Sequence, residues 1–341
     1  MLILGTVMAG VIYEQVGRQQ AARNFPPPGQ LVDIGGRRLH MDCRGSGSPT
    51  VVFESGLDMN GSLSWSLVHQ PIAETITRAC AYSRAGILWS DPHDAPLNGT
   101  SVAEDLHAAL ETAGERGPFV LVGHSLGGSY IMTYTKYFGA AVAGVVFVDT
   151  SHPDQIQRFK ALNVPESSAE TYLFKVGVVL NWTGIVRAVA PLYDRAPHQP
   201  VQDDLIVKSY ASTSLGAMLK EQDAMDLILA EAGTFRELGD RPLVVLTAMK
   251  PFPPEDLAEL KWPDDQARRA QDAWKQMHDE ETRWSSDSRH QVVPDASHYI
   301  QFDRPDVVIA AIRSVVESVR EKSRVPLSMV PTVQQVAQQG Q

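Results

Sequence analysis

Phe119-Val120-Leu121-Val122-Gly123-His124-Ser125-Leu126-Gly127-Gly128 is an apolar run, a glycine-bracketed serine and the start of a helical stretch. Four apolar side chains without alternation predict a strand buried on both faces. Residues 125–138 have helical length, so the strand runs straight into a helix. A G-x-S-x-G in that setting places its serine on a sharp strand-to-helix bend, with the hydroxyl raised above the sheet edge. The bend needs small neighbours, which Gly123 and Gly127 provide, and Gly128 permits close helix–strand packing. The Leu126 N–H opens the helix and can point at a developing oxyanion. Ser125 is therefore the candidate nucleophile.

Outward from this point the pattern repeats. Residues 50–53, 78–82, 144–148 and 242–246 are further unbroken apolar strands, and 290–293 reads as the last. Residues 31–34 and 37–43 around Gly35-Gly36 read as a hairpin. Residues 101–113 carry apolar groups at helical spacing, with Glu104 and Asp105 in the first turn. Residues 305–319 form a closing helix with Pro305 near its start. Strands interleaved with helices predict an α/β fold, a mostly parallel sheet covered on both faces. The rhythm breaks at 151–240, where 172–189 and 205–231 read as helices and no strand is convincing. That stretch is expected to be an inserted helical cap over the carboxyl edge of the sheet, where open α/β sheets bind ligands. The core is then 30–150 and 241–320.

Composition sets outer limits. Of 341 residues, 43% are hydrophobic and 21% charged, as in a globular protein. Lys and Arg number 30 against 40 Asp and Glu, a net charge of −10, which argues against a nucleic-acid partner. Two cysteines without CxxC spacing exclude a zinc knuckle, and neither HExxH nor a phosphate loop occurs. Gly45-Ser46-Gly47 falls short of a dinucleotide fingerprint.

Residues 1–13 are uncharged, but a spanning helix needs about 20 apolar residues. Residues 1–24 have three readings: a membrane anchor (the favoured one), a degenerate export signal, or a helix docked on the body. The first two put the body at a membrane or outside the cytoplasm, with membrane association through residues 1–13; otherwise it is cytoplasmic. Phe25-Pro26-Pro27-Pro28-Gly29 is a stiff spacer. Residues 326–341 are Gln-rich and expected to fray.

A serine hydroxyl needs a base. Of ten histidines, His298 lies between the last strand and the closing helix, at the sheet edge that Ser125 faces. His124 belongs to the bend and His152 follows a strand; with Gly56, these are pocket candidates. The remaining histidines read as structural or solvated. The acid that orients the imidazole has two candidate locations. Asp149 ends strand 144–148 and is preferred; Glu255 or Asp256, beyond Pro251-Phe252-Pro253-Pro254, is the alternative. Leu57, after Gly56, is the candidate second oxyanion donor beside Leu126.

At these residues the chain resembles the α/β-hydrolase family. The resemblance covers residues 30–319. It rests on Glu54-Ser55-Gly56-Leu57, Tyr82-Ser83-Arg84-Ala85-Gly86, Gly123 to Gly128, Val148-Asp149-Thr150-Ser151-His152-Pro153 and Ser297-His298. Within the family it is similar to bacterial members with an amino-terminal anchor, a proline-rich spacer and a helical cap. The resemblance implies an eight-stranded sheet in which the second and fourth strands are neighbours. Those strands carry Cys43 and Cys80, so it implies a disulfide if the body is exported, buried thiols being the other reading. Many relatives have His-Gly at Ser55-Gly56 and Tyr-Asp-Arg at Tyr82-Ser83-Arg84; the second change removes a carboxylate that supports the oxyanion loop.

The expected activity is a serine carboxylesterase of lipase-like type. Its substrate is a small to medium apolar ester, cleaved through an acyl-enzyme without metal or cofactor. Lactones and amides suit the same constellation, and a non-catalytic ligand-binding homologue or a lyase on this scaffold are the rival classes.

Overall fold

A computed structural model describes residues 2–164, 168–254, 257–258 and 262–324. Its eight strands are β1 (Gln30–Asp33), β2 (Arg38–Arg44), β3 (Thr50–Glu54), β4 (Ala79–Ser83), β5 (Phe119–His124), β6 (Val142–Val148), β7 (Leu243–Ala248) and β8 (Ser288–Val293). They form one sheet in the order β1-β2-β4-β3-β5-β6-β7-β8. β2 pairs antiparallel with β1 and β4, and every other pair is parallel. Cys43 stands opposite Cys80 in the β2–β4 register, and the two are joined as a disulfide.

Period-two geometry explains the unbroken apolar runs. Val52, Leu121, Val145 and Val245 enter one core cluster, while their neighbours Val51, Val120, Val146 and Val244 enter another. The first cluster takes up α3 (Gly99–Thr112) and α4 (Leu126–Phe138); the second takes up α2 (Ser66–Thr75) and α12 (Pro305–Arg324). Each fully buried Val or Leu contributes about 1.5–3 kcal/mol, so both faces must be covered. Helix α3 begins two residues earlier than its pattern suggests. Asn98 and Ser101 form a capping box there, and Glu104 and Asp105 lie beyond the first turn.

Between β6 and β7 the described residues are helical: α5 (Gln155–Ala161), α6 (Ser168–Val179), α7 (Ile185–Val189), α8 (Val201–Asp223) and α9 (Met225–Ala232). The two long helices expected there are each broken, one near Gly184 at a φ of 75° and one at Ala224. Helices α10 (Asp264–Glu281) and α11 (Ile300–Asp303) flank β8. The expected frayed tail at 326–341 lies outside the described residues.

Residues 2–24 form a helix, α1 (Leu2–Asn24), laid against α7 and α8. Glu14, midway along it, is buried and accepts hydrogen bonds from Arg187 (2.9 Å), Ser212 (2.6 Å) and Arg18 (2.6 Å). Burial pushes this carboxyl up, but those bonds hold it below its ordinary range. No helix among the described residues is long and apolar enough to cross a membrane. Helix α1 is held to α7 and α8 through Glu14.

Candidate active site

Parallel pairing brings the carboxyl ends of β3, β5, β6, β7 and β8 to one edge, and each contributes to the site. Beyond β5, Ser125 takes φ 52°, ψ −127°, the left-handed strain that a strand-to-helix bend imposes. Its side chain is half-buried. The bend tolerates only glycine at 127, where a Cβ would lie 2.5 Å from the Glu54 carbonyl and 2.7 Å from that of Ser55. Gly56 is equally constrained, since its Cβ would meet Ser125 Cβ at 2.9 Å. The loop after β3 and the serine bend are thus in contact. The N–H groups of Leu57 and Leu126 donate to no partner among the described residues.

Asp149 ends β6, the strand beside β5, with φ 48°. Its Oδ2 accepts from His298 Nδ1 at 2.7 Å. Its Oδ1 accepts from the Ala248 N–H at the end of β7 and from Trp274 Nε1 on α10, both at 2.9 Å. Burial raises the carboxyl's pKa, yet the bond and charge of His298, the charge of His278 and the Trp274 bond bring it below the ordinary carboxylate value. The carboxylate stays ionised, and it fixes the proton of His298 on Nδ1. The Nε2 lone pair is left as an acceptor. Glu255 and Asp256, the alternative acids, lie outside the described residues.

Ser125 and His298 share no hydrogen bond. They are linked through the backbone: His124 Nε2 donates to the His298 carbonyl at 2.9 Å. His124 is buried, and burial with the nearby His298 lowers its pKa to about 3, so the ring is neutral. Its place as a pocket candidate is corrected: it holds the His298 loop from behind. His152 is corrected likewise. It is fully buried against Trp284 and accepts the Asp154 N–H at 3.1 Å through Nδ1. The turn after β6 folds that ring inward, where it braces the start of α5.

Two cavities meet at Tyr299. One of about 640 Å³ lies under α6–α8 and reaches Leu57; the other, of about 450 Å³, is lined by Asp149, Trp274 and His298. Gly56, His124 and His152 line neither.

The main partner that sequence reading misses is Arg84. Its guanidinium donates to Glu54 (2.7 Å), to the Ser55 and Gly56 carbonyls (2.7 and 2.6 Å) and to both oxygens of Glu221 (2.8 and 2.6 Å). It clamps the loop at residues 54–56 to α8. Glu221, which takes two of these bonds, comes from the segment between β6 and β7. Burial pushes the Glu54 carboxyl up to about 7 against the pull of Arg84. The Tyr82-x-Arg84 spacing was the only signal of this group, and the partner in α8 had none.

The family model for the alpha/beta hydrolase family matches residues 23–311. The chain belongs to the alpha/beta hydrolase family. Among curated proteins, this alpha/beta hydrolase is 27% identical over 320 residues to a probable transporter, efuK, of Hormonema carpetanum. The match covers 86% of this chain and 43% of that protein. The alpha/beta hydrolase thus spans less than half the length of that curated relative. Among solved structures it is similar to a thermophilic esterase from Thermogutta terrifontis, at a TM-score of 0.54 and 17% identity, covering 85% of this chain and 97% of that one. It is also similar to an epoxide hydrolase from Bacillus megaterium, at a TM-score of 0.59 and 17% identity, covering 84% and 100%. These likenesses show the alpha/beta hydrolase fold.

Proposed function

We propose that the protein is a serine hydrolase that cleaves carboxylic esters of small to medium apolar substrates through an acyl-enzyme. The observation that carries this reading is the 2.7 Å bond from His298 Nδ1 to Asp149, at the same sheet edge as the strained Ser125. Ser125 Oγ attacks the ester carbonyl while His298 Nε2 takes its proton. Asp149 stabilises the imidazolium, and the Leu57 and Leu126 N–H groups hold the tetrahedral oxyanion. One such donor contributes about 3 kcal/mol to the chemical step. The protonated His298 then gives its proton to the leaving alcohol, and water deacylates Ser125 with His298 again as base.

The apolar cavity beside Leu57 supports an apolar acyl or alcohol group. A panel of p-nitrophenyl esters, lactones and anilides tests the assignment. Ester turnover that disappears in Ser125→Ala is expected; turnover surviving that change, or confined to epoxides, would overturn it. The Cys43–Cys80 disulfide supports work in an oxidising compartment. Two free thiols in protein isolated from its native cells would contradict that placement.

A further inference from the structure

We propose that the outer face of the cap, together with α1, docks on an anionic lipid surface, and that the ester reaches Ser125 from that surface rather than from water. The substrate half of this statement rests on the serine-hydrolase reading above. Large apolar side chains stand unusually exposed here: Leu192 (81%), Val179 (72%), Leu173 (67%), Ile12 (57%), Met8 (56%) and Trp182 (54%). A monomer rarely shows so many together without a partner for them.

The face is continuous. Helix α1 lies so close to the turn after α6 that a Cβ on Gly10 would be 2.3 Å from the Thr183 carbonyl. The face is also the wall of the larger cavity. Leu173, Val176, Leu180, Ile185 and Tyr193 are exposed and also line the space that reaches Leu57. The cavity therefore opens through the patch. A protein partner seated there would seal it, whereas acyl chains would continue into it.

Charge selects the same occupant. Residues 2–24 and 173–193 contain Arg18, Arg23, Lys175 and Arg187 against the single acid Glu14, in a chain whose net charge is −10. Arg18 and Arg187 share Glu14, and Lys175 meets Asp223 of α8, which still leaves a cationic surplus. Tyr13, Trp182 and Tyr193 bring rings with a polar tip, suited to the headgroup level.

The test is flotation of the full chain with vesicles of phosphatidylcholine containing phosphatidylglycerol. Val179→Asp and Leu192→Asp, which do not line the cavity, probe the surface separately. Wild type should float with the vesicles, less so as salt rises. Each variant should bind about tenfold more weakly or worse. Turnover of a long-chain ester presented in the vesicles should fall with binding, while turnover of water-soluble p-nitrophenyl acetate stays unchanged. Wild type remaining in the aqueous layer, variants floating as well as wild type, or a dimer that the variants dissolve would each overturn the proposal. Flotation without fluorophosphonate labelling of Ser125 would overturn the hydrolase reading and the lipid source of its substrate, leaving only the docking surface.

Discussion

Arg84, just beyond β4, and Glu221, on α8, form a doubly bonded ion pair at 2.8 and 2.6 Å with both side chains buried. The same guanidinium holds Glu54 and the carbonyls of Ser55 and Gly56, so a cap residue sets the position of the loop proposed to hold the oxyanion. Glu221→Gln keeps an acceptor but removes the charge. It should lower kcat more than it raises KM, because the oxyanion is met only in the transition state. Arg84→Ala should destabilise the fold by about 3–5 kcal/mol, since two carboxylates are left buried without it. Steady-state kinetics and urea unfolding separate the two effects. An unchanged kcat in Glu221→Gln would remove the loop from the catalytic account.

Asp149 should matter through the tautomer of His298. Asp149→Asn leaves the shape of the edge but no longer secures a proton on Nδ1. A fall in kcat of about 10⁴ with a modest change in KM is expected. Trp274→Phe removes one bond to Oδ1 and should cost far less, because Ala248 still donates there. If Asp149→Asn keeps most of the activity, the acid lies elsewhere, with Glu255 and Asp256 next to be changed.

These two residues also mark where sequence reading stops. The β5–Ser125–α4 segment is legible because strand, bend and helix are contiguous and each has its own periodic signature. His298 follows from chain order. Asp149 is ambiguous in sequence because β6 and β7 are neighbouring strands ending at the same edge, and an acid follows each. Trp274 and Glu221 leave no local trace: they reach Asp149 and Arg84 across 125 and 137 residues. Helix α1 is only half legible: its uncharged first half stands in the sequence, but only the fold supplies Arg187 and Ser212 as partners for Glu14.

His152 should make stability pH-dependent. Burial holds it neutral in the folded state, with a pKa lowered to about 4 from an ordinary 6.5. Between those values the unfolded chain binds the extra proton, so the contribution is intact above 6.5 and is lost as pH falls toward 4. Wild type should lose up to about 1.4 kcal/mol more per pH unit across that window than His152→Asn. Urea unfolding at several pH values checks this; parallel curves would contradict it.

The Cys43–Cys80 link closes a loop of sequence separation 37. Changing both to alanine should lower stability by about 2–4 kcal/mol, chiefly by freeing the unfolded chain. Thermal unfolding of the double variant measures it, with activity at room temperature retained. A variant as stable as wild type would show that the β2–β4 pairing needs no covalent support.

In the proposed mechanism the hydroxyl of Ser125 and the lone pair of His298 Nε2 act together, although no hydrogen bond joins them in the free protein. Fluorophosphonate labelling read by peptide mass spectrometry tests this most directly. The expected result is one adduct per chain, on Ser125, formed rapidly in wild type and orders of magnitude more slowly in His298→Ala. No adduct, an adduct on another residue, or equal rates with and without the imidazole would contradict the account.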